Sequence, residues 1–179
     1  MGFRNREIEK KFIVKNKTYG QAAEYLESIF DFDRKIVNAS KDYYWHALPN
    51  TKVSFVRLRY MPNGTGQMTT KYMDKDTNLN RVEIDVEIDD PDQGKRFMNQ
   101  VFGDPCGSIY KKYHVLILGD EHTTVSIYSV RGDAGRVFVE LEAKSLAALE
   151  KIEAKVGADL ELVYEPRSLY QIFFEKDKA

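Results

Sequence analysis

The chain has 179 residues, 42% of them hydrophobic, with 11 Tyr, 10 Phe and one Trp, which is enough to bury a sizeable core and excludes a disordered polymer. Its 27 Lys and Arg against 28 Asp and Glu leave a formal net charge of -1, so no bulk charge directs it to duplex nucleic acid or to a membrane surface. The lone Cys106 excludes an intramolecular disulfide framework and a cysteine-based zinc site, no apolar run approaches the roughly 20 residues of a membrane span, and a cytoplasmic domain is expected.

The dominant period is two, which predicts strands. Residues 6–14 alternate Arg6, Ile8, Lys10 and Phe12 against Glu7, Glu9, Lys11 and Ile13. Thr18 and Gln21 then have capping-box spacing, and Ala22, Ala23, Tyr25, Leu26, Ile29 and Phe30 recur at helical spacing, which predicts a helix over about 19–30. A strand is expected at about 34–47, ending in Asp42-Tyr43-Tyr44-Trp45-His46. The strand Val53 to Met61 and the strand Met68–Met73 flank a turn cluster, Pro62 to Gly66, and should form a hairpin.

Asp74–Asn80 reads as a polar turn, and Arg81–Ile88 as a strand with Val82, Ile84, Val86 and Ile88 on one face. Asp89 to Asp92 starts a helix that runs to about Phe102. Strands follow at about 108–118 and 122–131, joined at Gly119 to Glu121, and another covers 135–144. Ser145 caps a helix carrying Leu146, Leu149, Ile152 and Val156, and Glu165 to Tyr170 opens a last short helix. The fold class expected is mainly antiparallel β with flanking helices (α+β), one domain over 1–179, its eight strands closed into a barrel that removes the sheet edges.

What needs explaining is the charge carried opposite the apolar faces. One strand presents Glu7, Glu9 and Lys11, another Arg57 and Arg59, its hairpin partner Thr69 and Lys71, the next Glu83, Asp85 and Glu87, and a late strand Glu140 and Glu142. Solvated outer faces laced by cross-strand ion pairs are the ordinary explanation. Same-face neighbours on a strand lie about 7 Å apart. Two like charges at that separation repel by about 2 kcal/mol at an effective dielectric near 20. The repetition of one sign along each strand therefore points the other way, to an interior where a divalent metal holds the carboxylates and a polyanion holds the cations. A metal-chelated polyphosphate satisfies both.

The order of these motifs resembles the CYTH superfamily, the triphosphate tunnel metalloenzymes. Glu7-Ile8-Glu9-Lys10-Lys11 resembles its Glu-x-Glu-x-Lys signature, Arg57-Leu58-Arg59 its Arg-x-Arg strand, Thr69-Thr70-Lys71 its Thr-x-Lys strand, Arg81 to Glu87 its acidic strand, Glu140-Leu141-Glu142 its late Glu-x-Glu, and Glu165 to Tyr170 its C-terminal Ser-Tyr helix. The match departs in two places. Tyr110-Lys111-Lys112-Tyr113 stands where many members have Lys-x-Arg, with Lys112 taken for the Arg position and Lys111 as the other candidate, and Ile127-Tyr128 stands where many have Ile-Asp.

The resemblance implies an eight-stranded tunnel that holds a small-molecule triphosphate with Mg2+ or Mn2+ as cofactor. Glu7, Glu9, Glu140 and Glu142 would be the metal ligands, Glu83 and Asp85 the catalytic carboxylates, and Lys11, Arg57, Arg59, Lys71 and Lys112 the substrate-binding cations. The reaction expected is metal-dependent triphosphate hydrolysis; a class IV adenylate cyclase and a non-catalytic polyphosphate or nucleotide binder are the alternatives, and a homodimer is left open. Removing Arg57 or Arg59 should cost binding with little loss of stability. His46, His114 and His122 lack metal-ligand spacing and are taken as structural or solvent-facing.

Overall fold

The computed structural model describes residues 5–49, 51, 53–73, 80–119, 123–133 and 135–175, with side chains for all of these except 5–7, 72–73 and 80–82. The expected turn at Asp74–Asn80, the 120–122 segment with His122, and the side chain of Glu7 lie outside the described parts.

Among the described residues nine strands and four helices follow one another. They are β1 (Asn5–Val14), α1 (Tyr19–Ile29), β2 (Arg34–His46), β3 (Phe55–Tyr60), β4 (Gly66–Met73), β5 (Asn80–Ile88) and α2 (Pro91–Phe102), then β6 (Gly107–Ile117), β7 (Thr124–Val130), β8 (Val137–Ala143), α3 (Leu146–Val156), β9 (Leu162–Tyr164) and α4 (Leu169–Phe173). The helix starts are set locally. Thr18 and Gln21 form a capping box on α1, Asp90 accepts from the Gln93 amide with Pro91 in the first turn of α2, and Ser145 accepts from the Ala148 amide on α3. In the β3–β4 hairpin, Gly64 takes φ +87°, a left-handed conformation that a side chain would strain.

The chain divides into two compact units. The first holds Ser40–Tyr110 and the segment from Arg167 onward, with strand order β5-β4-β3-β2-β6. On one face of that sheet Trp45, Val56, Leu58 and Met98 are buried with Tyr43, Tyr60, Met68, Ile88 and Phe102 against them, and on the other Tyr44 and Phe55 are buried against Tyr170. Met98 and Phe102 bring α2 onto the Trp45 face, and the Trp45 indole N–H donates to the Gly103 carbonyl, 3.0 Å away. The second unit holds Arg6–Ala39 and Lys111–Pro166, with order β2-β6-β7-β8-β1-β9. Here α1 and α3 cover Phe12, Val14, Val125, Ile127, Val137, Val139, Leu141 and Ala143. Pleat alternation then leaves the charged positions of the second unit on the face away from α1 and α3, and those of the first unit on the face away from α2, where α4 also packs, Tyr170 stacking on Phe55 at 5.1 Å.

The mainly antiparallel sheet with flanking helices is as expected, but the closed eight-stranded barrel is not. The ninth strand, β9, hydrogen-bonds along Phe12, Ile13 and Val14 of β1, while the topology gives β1, which begins at Asn5 in the first unit, a further pairing with β5. Among the described residues the sheet has nine strands where eight were expected. Three residues are too few to show a period of two, so β9 left no mark in the sequence pattern. Among the described residues no helix is long and apolar enough to cross a membrane.

Candidate functional site

The charged face of the first unit is built by register. Across β2 and β3, Asp42 lies opposite Arg59 and Tyr44 opposite Arg57; across β3 and β4, Arg57 lies opposite Thr69; across β4 and β5, Thr69 faces Asp85 and Lys71 faces Glu83. Arg59 grips Asp42 with two parallel bonds, Nε to Oδ1 and Nη2 to Oδ2, both 3.0 Å. Asp42 is 0% exposed and also accepts from the Ser40 hydroxyl at 2.9 Å. Arg57 donates from Nη2 to the Thr69 hydroxyl at 2.8 Å, and that hydroxyl donates to Asp85 at 2.5 Å. The Nε–H of Arg57 is buried with no acceptor among the described residues. Lys71 and Glu83 form an ion pair.

In the second unit, β1 and β8 set Glu9 opposite Glu142 and Lys11 opposite Glu140. Lys11 is 1% exposed, with Nζ 3.2 Å from Glu140 Oε1. The Tyr128 hydroxyl donates to the same oxygen at 2.8 Å, and the Thr124 hydroxyl donates to Glu142 Oε2 at 2.8 Å. Lys111 lies over the Tyr128 ring, 5.2 Å from its centroid. On the opposite face of β1, Lys10 reaches out to Glu153 of α3 at 2.6 Å, so the pleat turns Glu9 and Lys11 away from the helices as expected.

The sequence-predicted residues thus form two groups. Arg57, Arg59, Lys71, Glu83 and Asp85 share one face of the first unit, and Lys11, Glu9, Glu140 and Glu142 share one face of the second. Lys112 is misplaced. It lies opposite Ser129 and is exposed, while the buried Lys111 is the lysine on the Tyr128 and Glu140 face, because adjacent residues on a strand point to opposite sides.

The charge argument also needs correcting. Acids lie opposite cations in Lys71–Glu83, Lys11–Glu140 and Arg59–Asp42, so cross-strand pairing offsets much of the repulsion along each strand. Glu9 opposite Glu142 is the exception, two like charges directly facing. Asp42 and Thr124 had not been singled out for the site, whereas Lys111 was the stated alternative to Lys112 and Tyr128 a noted departure from the family pattern. For Asp42 the only signal was alternation, which sets Asp42 and Tyr44 opposite the core face of Tyr43 and Trp45.

Carboxylates are the donors that Mg2+ and Mn2+ prefer, and the acidic set on β1 and β8 fits that chemistry. Among the described residues, however, no three His, Cys, Asp or Glu side chains are gathered into a metal-binding group. Burial pushes the Cys106 thiol pKa up, so it is a poor nucleophile at neutral pH.

The CYTH domain family matches residues 5–169, nearly the whole chain. The chain belongs to the CYTH domain family. Solved structures agree in fold. A conserved hypothetical protein from Pyrococcus furiosus is 22% identical at a TM-score of 0.71, with 92% of this chain and 98% of that one covered. A putative adenylate cyclase from Vibrio parahaemolyticus is 17% identical at a TM-score of 0.67, covering 94% and 97% of the two chains. A putative adenylyl cyclase from Hippeastrum, described as having a dominant triphosphatase activity, is 16% identical at a TM-score of 0.66, covering 93% and 94%. No curated protein matches the chain. For this CYTH chain, identities of this size establish the fold.

Proposed function

We propose that this CYTH protein hydrolyses a small-molecule triphosphate, inorganic or organic, in a reaction that needs Mg2+ or Mn2+. The observation that carries the proposal is Arg57, whose guanidinium is fixed on Thr69 while its buried Nε–H has no acceptor among the described residues. A buried guanidinium N–H without a partner is costly, and a phosphate oxygen is the acceptor best suited to it. Arg57 would take a non-bridging oxygen, with Lys71 adding positive charge and Arg59 held in one orientation by Asp42.

Glu9, Glu140 and Glu142, with Glu7, would hold the divalent cation, which when bound supplies charge neutralisation for the phosphate chain. Asp85, held on one oxygen by Thr69, would orient water toward the terminal phosphorus and take up its proton. The new bond forms between water oxygen and that phosphorus, the bridging P–O bond breaks, and orthophosphate and a diphosphate leave. Glu83, paired with Lys71, would set the charge of that lysine.

The triphosphatase activity described for the Hippeastrum relative favours hydrolysis, and the putative adenylate cyclase from Vibrio keeps cyclase chemistry as the second reading. Incubation with tripolyphosphate, ATP and thiamine triphosphate in Mg2+ or Mn2+ should release orthophosphate from at least one. Cyclic AMP with diphosphate from ATP would replace hydrolase with cyclase, and tight binding without turnover would make the protein a binder.

A further inference from the structure

We propose that Tyr128 is a positioning residue for Glu140 and sets the affinity of the β1–β8 carboxylates for a divalent cation. The proposal rests on the metal-dependent reading above.

Two donors meet on one oxygen. The Tyr128 hydroxyl is 2.8 Å and the Lys11 ammonium 3.2 Å from Glu140 Oε1. Both contacts therefore draw Oε1 toward the protein and leave Oε2 as the oxygen that a cation meets. Glu140 keeps 21% side-chain exposure, enough for a ligand to approach.

The donor is rigid, which is what positioning requires. Tyr128 is 1% exposed. Its ring stacks on Phe138 across the β7–β8 ladder, with centroids 5.2 Å apart and planes 16° apart. Lys111 sits over the same ring. With the ring clamped on two sides, the hydroxyl has one place to go, diagonally along β8 to Glu140. Without it, Lys11 alone would hold Glu140, and the carboxylate could rotate to give both oxygens to the ammonium, withdrawing Oε2. Hydrogen-bonding partners of metal ligands typically carry a 10- to 100-fold effect on affinity through orientation of this kind.

Tyr128→Phe removes the hydroxyl and keeps the ring, its stacking and the local charge. Loss of one hydrogen bond should lower the metal-free melting temperature by only about 2–4 °C. The decisive measurement is Mn2+ affinity without substrate, read from the electron paramagnetic resonance of free Mn2+. We expect the dissociation constant to rise about 10-fold in Tyr128→Phe. In a Glu140→Gln background the same change should alter it by less than about twofold, because the positioned carboxylate is already gone. Wild-type binding of Mn2+ with equal affinity in Tyr128→Phe would overturn the role of Tyr128 and leave the metal reading standing. A wild-type protein that binds no Mn2+ would overturn both. An equal loss in the Glu140→Gln background would mean that Tyr128 acts through something other than Glu140.

Discussion

Arg57 and Arg59 stand two residues apart on one strand face, yet their removal should have different consequences. Arg59 neutralises Asp42, which is 0% exposed and tied to it by two bonds. Arg59→Ala takes both guanidinium bonds and the compensating charge from that buried carboxylate, so we expect a loss of about 3–5 kcal/mol in urea denaturation, against the expectation from sequence that stability would hardly change. Arg57 bonds a neutral hydroxyl, and Arg57→Ala should cost about 1 kcal/mol of stability. Its effect should fall on binding, with triphosphate affinity down about 10- to 100-fold by calorimetry, since a hydrogen bond to a charged group contributes about 1.5–3 kcal/mol. Arg57→Lys should restore little, because an ammonium lacks the planar fork. Cys106 should label slowly with iodoacetamide near neutral pH and faster as pH rises toward its elevated pKa, and alkylation should leave turnover intact.

Each element holds its charged side chains by anchoring the face behind them. On β3, Leu58 lies between the two arginines in sequence and points the other way, fully buried among Trp45, Val56 and Met98. It locks β3 to α2 and thereby fixes which way Arg57 and Arg59 project. Leu58→Ala should cost about 2–5 kcal/mol through the cavity it leaves, measured by urea denaturation, while the folded fraction keeps its affinity for triphosphate. On β1 the same division appears as Phe12 in the core and Lys11 on the other face, joined across to Glu140 of β8. A one-residue slip between these strands would exchange both sets of side chains, so the apolar face and the ion pair specify one register together.

At the scale of the whole molecule, the behaviour to test is the response to a divalent cation. Glu9 and Glu142 directly oppose one another, and like charges in that position weaken a sheet. Glu9→Gln should therefore raise the metal-free melting temperature and shrink the stabilisation that Mn2+ adds, since stabilisation by a ligand follows its affinity for the folded state. Thermal unfolding of both proteins with and without Mn2+ measures this, and identical Mn2+ shifts would remove Glu9 from the metal ligands. Excess EDTA should abolish phosphate release by the wild type, and full turnover in EDTA would refute the metal requirement.

Strand and helix positions apart from β9, the hairpin at 62–66 and the side of the pleat on which the charges of β1, β3, β4, β5 and β8 fall were legible in the sequence, because they depend on periods of two and 3.6 and on local caps. The family was legible too, since its motifs keep their order along the chain. Partners were another matter. That Asp42 belongs to Arg59, that Glu83 faces Lys71, and that Lys111 rather than Lys112 joins Tyr128 are decided by which strand lies beside which and in what register. The ninth strand was decided in the same way, by an edge of β1 that only the folded sheet exposes. Periodicity is a property of one segment read alone, whereas cross-strand pairing is a relation between segments far apart in the chain, and it exists only once the tertiary structure has formed.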